Sequence, residues 1–193
     1  MKKLSLTALA IASFTLSLNT SAANIEAGVV KNIPVFQEAS VEYRGLDNPD
    51  VAENINQFLA ERQNKDQVEG PASGISYFEI SGVISSQYPY QWESTANKFS
   101  TTENHGGAET YLSTFQLGYG NVSSVTFTSG TPTLYRTNLL CGTYTVHYCS
   151  AGETVIGWEY IYRLNNITSG QFTISAYSTA YPTGVWSDSL YIN

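Results

Sequence analysis

Charge is scarce in this chain of 193 residues: only 13% are Asp, Glu, Lys or Arg, and Lys and Arg number 9 against 16 acidic residues. The shortage of cations leaves a formal charge of −7. That is the wrong sign for gripping phosphate backbones or anionic lipid, so nucleic acid is not an expected partner. Histidine is limited to His105 and His147, and cysteine to Cys141 and Cys149. No Gly-x-Ser-x-Gly is present, and no Ser or Thr has an evident His-carboxylate partner. No strand pattern in the C-terminal part places acids at i and i+2, the simplest way to hold the two carboxyls of a glycosidase about 5 to 9.5 Å apart. Beyond the N-terminus no apolar run reaches the roughly 18 residues of a membrane span. Together these absences leave little with which to run a reaction, and no cofactor or metal is expected.

What is present begins with an export signal. Lys2 and Lys3 precede an apolar stretch, Leu4 to Leu18, and Ser21-Ala22-Ala23 offers the small side chains a signal peptidase fits. Residues 1–23 therefore read as a signal peptide. No Cys follows to take a lipid, so the product is expected to be secreted, either into the periplasm or into the medium. Residues 24–74 are acidic and poor in aromatics. Asn48-Pro49-Asp50 reads as a helix start with Asn48 as N-cap, and Val51, Ile55, Phe58, Leu59 and Arg62 then recur at helical spacing. One amphipathic helix is expected there, followed by a linker at Gly70-Pro71-Ala72-Ser73-Gly74. The segment reads as a structural extension, with a removable propeptide as the alternative.

From Ile75 onward the composition changes. All but one of the 14 Tyr and all three Trp lie in this part, among abundant Ser and Thr. Apolar residues alternate with period two: Phe78, Ile80 and Ile84 on one face, then Tyr111, Phe115 and Leu117, then Val125 and Phe127. The clearest case is Ile156, Trp158, Tyr160, Tyr162 and Leu164, opposite a face carrying Glu159 and Arg163. Phe172, Ile174 and Ala176 follow, and Leu190 with Ile192 close the chain. Seven or eight such strands, separated by Gly, Asn, Pro and Ser, predict an all-β domain over 75–193. Its expected form is an antiparallel β-sandwich, immunoglobulin-like or jelly-roll-like, with a small barrel as the second arrangement.

Four groups of residues could carry function. In an exported chain Cys141 and Cys149 are expected to bond. Eight extended residues span roughly 26 Å while bonded Cα atoms lie about 4.4 to 6.8 Å apart, so Gly142 to Tyr148 must turn back. The closed loop would show Tyr144, His147 and Tyr148. A second candidate is Tyr88, Tyr90 and Trp92, aromatics at alternate positions around Pro89, suited to stacking on a sugar or a protein and equally to covering a sandwich edge. The third is Glu103-Asn104-His105-Gly106-Gly107-Ala108-Glu109, where His105 with Glu103 and Glu109 could serve as a general base or metal site; an Asn-His-Gly-Gly run is also an ordinary turn. Trp186, after Tyr181-Pro182-Thr183-Gly184, could extend the aromatic surface or plug the sandwich end.

Short Gly-centred motifs, Asn104-His105-Gly106-Gly107, Leu117-Gly118-Tyr119-Gly120, Val155-Ile156-Gly157-Trp158 and Ser169-Gly170-Gln171-Phe172-Thr173, with the closing Ser187-Asp188-Ser189-Leu190-Tyr191-Ile192, resemble the YolA-type family of small secreted bacterial proteins of unknown function. The resemblance covers residues 75–193 and implies a compact secreted protein, with no catalytic residues to carry over. The leading expectation is a non-enzymatic binding protein. It would recognise a glycan or an extracellular protein through Tyr88, Tyr90, Trp92 and the Cys141–Cys149 loop. A hydrolase or metal enzyme centred on His105 is one alternative; an exported toxin or competition factor masked by residues 24–74 is another.

Overall fold

Helix formation begins where the sequence puts a cap. In the computed structural model, which describes residues 45–63, 73–88, 91–92 and 99–193, Asn48 Oδ1 accepts from the Asp50 amide at 2.9 Å. A 3-10 turn at Gly45–Asp47 precedes it, and α1 runs Pro49–Gln63. The leader, the extension before Gly45 and the Gly-Pro linker before Ser73 lie outside the described residues.

Nine strands follow: β1 Tyr77–Ser85, β2 Gln91–Trp92, β3 Gly107–Leu117, β4 Gly120–Phe127, β5 Thr133–Cys141, β6 His147–Tyr148, β7 Val155–Ile167, β8 Gly170–Ser178 and β9 Val185–Ile192. They make a six-stranded sheet, β2-β1-β3-β7-β5-β6, and a three-stranded one, β4-β8-β9. Every named pair is antiparallel. The domain is thus mostly antiparallel β, as its alternating apolar pattern predicts.

That alternation has two consequences for burial. Phe78, Ile80, Val83, Leu112, Tyr162 and Leu164 of the large sheet join Phe127, Phe172, Ile174, Ala176, Leu190 and Ile192 of the small one in a single buried cluster. The opposite face of the large sheet is also covered. There Val51 and Ile55 of α1 pack with Phe115, Leu117, Leu140 and Val146. Fully burying one Leu, Ile or Phe side chain contributes roughly 1.5 to 3 kcal/mol, which is why the helix stays against the sheet.

Two face assignments are corrected. The first is Ile156, which lies at the register shift between Leu140 and Cys141 and packs on the helix-side cluster instead of beside Tyr160 and Tyr162. Phe78 and Ile80 share a face, but the register shifts between Ile80 and Gly82, so Val83 pairs with Leu112 and Ile84 with Tyr111. The extra residue of this bulge turns Ile84 to the helix-side face and gives its expected place to Val83.

Candidate binding surface

Bonding of Cys141 to Cys149 closes the loop, with Cα atoms 5.0 Å apart. The reversal comes from β6 pairing back on β5, Leu140 with Tyr148 and Cys141 with His147. The loop shows Tyr144, which is 71% exposed, and His147. Tyr148 is corrected: neighbouring strand residues point to opposite faces, and it turns inward. Its hydroxyl donates to Glu159 Oε2 at 2.8 Å and accepts from the Leu46 amide at 2.9 Å. Burial, with the Glu159 carboxylate close by, pushes the Tyr148 phenol above its ordinary range. His147 Nε2 meets Glu153 Oε1 at 3.0 Å, and the hydrogen bond to Glu153 holds the imidazole above its usual pKa.

The inward turn of Tyr148 belongs to a buried polar cluster. Glu159, expected only as a residue on the second face of β7, is 0% exposed. Its Oε1 accepts from the Gly45 amide at 2.8 Å and Ser113 Oγ at 2.6 Å, and its Oε2 from Asn138 Nδ2 and the Tyr148 hydroxyl, both at 2.8 Å. A buried carboxylate is tolerable only when so satisfied. Gly45 is required here by close approach, since a Cβ would sit 2.7 Å from Glu159 Oε1 and from the Phe115 ring.

His105 is also fully buried. Its Nε2 lies 2.9 Å from Gln91 Oε1, and the Tyr88 ring stands edge-on at 5.4 Å. Its Nδ1 has no partner, and burial lowers its pKa to about 4. The grouping of His105 with Glu103 and Glu109 does not form. Glu103 donates its amide to the same Gln91 oxygen at 3.2 Å, while Glu109 leaves on β3 toward Arg163 Nη1, at 3.8 Å, and the Tyr111 hydroxyl, at 3.3 Å. Among the described residues no three His, Cys, Asp or Glu gather as metal ligands. Of the aromatic row, Tyr88 is 37% exposed; Tyr90 and the Trp92 side chain lie outside the described residues. Trp186 packs half-buried against the inter-sheet core.

Exposed aromatic and aliphatic surface instead collects on β5, whose sequence shows no sustained period-two alternation. Leu134, Tyr135 and Leu139 are 51%, 40% and 46% exposed, and Tyr144 of the loop continues the series. Leu139 pairs with Trp158, whose ring meets Tyr119 edge-on at 5.4 Å, and Leu134 pairs with Tyr162. A register shift between Leu134 and Arg136 puts Tyr135 in a bulge, and its ring meets Tyr111 at 5.0 Å. The signal was available as Leu134, Tyr135 and Leu139 standing among Thr133, Arg136, Thr137 and Asn138. Without knowing that β5 lies beside a two-residue edge strand, nothing marked them as uncovered.

No curated protein matches the chain. A family profile does match, over residues 70–192, which takes in every strand described above. The chain belongs to the family defined by the domain of unknown function DUF4879.

Proposed function

We propose that this is an exported, non-enzymatic binding protein that recognises a glycan through β5 and the Cys141–Cys149 loop. The two sheets are read as a β-sandwich, with α1 as a third layer and the leader directing export. The observation that carries the reading is the exposure of Tyr135 on the helix-side face of β5, of Leu134 and Leu139 on its opposite face, and of Tyr144 on the loop, mounted on a strand and on a loop pinned by a disulfide. Rigid aromatic side chains lose little conformational freedom on contact and present both an apolar face and a hydroxyl, which suits sugar rings.

Co-sedimentation with insoluble polysaccharides and with isolated peptidoglycan sacculi tests it. Retention on one of them, lost in Tyr135→Ala with Tyr144→Ala, supports the reading. Failure to be retained on any, or retention that the two substitutions leave unchanged, overturns it. A second reading has an observation of its own. Among the described residues β5 is paired on its outer side only from Leu139 to Cys141, so an extended segment of a protein partner could add as a further strand.

A further inference from the structure

The described cations of this domain are Arg136 and Arg163, and the fold puts them together. Tyr111 pairs with Arg163 across β3 and β7, and Arg136 pairs with Ile161 across β5 and β7. Directly paired residues share a face, as do residues two apart on one strand, so both arginines, Tyr111 and Glu109 occupy the helix-side face of the large sheet. The bulge brings Tyr135 to the same place: its ring contacts Tyr111, and the Arg136 guanidinium lies 5.8 Å from its centroid. Two arginines diagonal across neighbouring strands repel each other unless an anion joins them.

The anions already present do not suffice. Among the described residues Arg136 has no carboxylate within ion-pair distance, and Arg163, which also hydrogen-bonds the Tyr111 hydroxyl, meets its one carboxylate, Glu109, only at 3.8 Å. Arg163 Nε is buried with no hydrogen-bond partner. A buried donor without an acceptor carries a desolvation cost that an incoming oxyanion would relieve. The neighbouring wall is aromatic and partly exposed, a platform for a ring.

We propose that Arg136, Arg163, Tyr111 and Tyr135 form a binding site for an acidic sugar, its carboxylate held by the two guanidinium groups and its ring against Tyr135. Guanidinium groups bind carboxylates through charge-assisted, frequently bidentate hydrogen bonds, so the charge of the sugar supplies selectivity and the ring supplies contact area. This rests on the glycan reading above and names the chemistry of the ligand. It also accounts for a strongly acidic protein retaining two cations on one face of one sheet.

Titration calorimetry of the mature protein with trigalacturonate, with its methyl ester and with sodium acetate decides the matter. Trigalacturonate should bind, more weakly as salt rises, while the neutral ester binds at least about tenfold more weakly because the charge-assisted bonds are lost. Arg136→Gln and Arg163→Gln should each weaken trigalacturonate by about tenfold or more with melting temperatures kept near that of the parent. Tyr135→Ala, which spares both charges, should weaken trigalacturonate and leave acetate unchanged. Equal binding of acid and ester, or indifference to both arginine substitutions, overturns the proposal. Acetate binding as tightly as the sugar overturns it too, as an adventitious ion only. Retention of a neutral polysaccharide that depends on Tyr144 and not on Arg136 overturns the acidic-sugar site while the wider binding reading stands.

Discussion

Glu159 and His105 illustrate opposite ways of hiding an ionisable side chain. Glu159 meets four donors, from Gly45, Ser113, Asn138 and Tyr148. Glu159→Ala removes the acceptor and strands all four, so a loss of about 3 kcal/mol or more is expected, read from the urea midpoint; an unchanged midpoint would mean water reaches the cluster. His105 is buried with little compensation and stays neutral to about pH 4. Its folded pKa lies below its unfolded value, so above about pH 6.5 the group is neutral in both states and contributes no pH dependence. As pH falls from there towards 4 only the unfolded chain gains the proton, and stability drops by about 3 kcal/mol before levelling off. His105→Gln should flatten that part of the stability profile. His147 shifts the other way, since its bond to Glu153 favours the protonated form, and the stability from that shift is lost as pH rises through its raised pKa. In an NMR titration of the two imidazoles, His147 should titrate above the ordinary histidine range and His105 far below. Both histidines were conspicuous in the sequence by their rarity; their opposite environments were not, because burial depends on Gln91, Tyr88 and Glu153, which the sequence does not mark as neighbours.

Among the elements, the strands were legible where alternation ran unbroken, as in Phe172, Ile174 and Ala176 of β8, and misread where a bulge interrupted it. Ile84 lies one bulge beyond Ile80 and so exchanges faces with Val83; a period-two pattern has no means of announcing an added residue. The return of β6 onto β5 was legible, because the reach of eight residues forbids a bonded pair at the ends of an extended segment. The same bond should matter for stability. Replacing Cys141 and Cys149 together by Ser frees a loop of sequence separation 8, and chain-entropy arguments put the loss at about 2 to 3 kcal/mol. Because Val146 is buried beside α1 and its amide donates to Asn56 Oδ1 at 2.8 Å, loosening the loop should also expose the middle of the helix. Hydrogen exchange should therefore rise at Val146 and in α1 as well as in β6. Exchange confined to Gly142–Thr145 would show the loop to be independent of the helix.

For the whole molecule the issue is how many layers the core needs. Alternation predicts one buried face per strand, yet β3 and β7 are buried on both: Phe115 and Glu159 face the helix, Leu112 and Tyr162 the small sheet, all at 5% exposure or less. A purely two-layer reading leaves Phe115, Leu117, Leu140 and the Glu159 carboxylate open to water. The third layer was half legible, since Asn48-Pro49 and the spacing of Val51 and Ile55 announced a helix but nothing in its narrow stripe named the surface it covers. If the helix is part of the core, a chain beginning at Ile75 loses the contacts of Val51 and Ile55, both 0% exposed, and Glu159 loses the Gly45 amide. Each buried aliphatic side chain contributes roughly 1.5 to 3 kcal/mol, so the loss should be a large part of a typical domain stability of about 5 to 15 kcal/mol. Compared with a chain beginning at Asn24, the shorter one should unfold at clearly lower urea and bind an apolar dye at neutral pH, through the uncovered Phe115 and Leu117. Equal urea midpoints and no dye binding would mean the sheet tolerates its bare face, and a propeptide that leaves after export would then become the better account of residues 24–74.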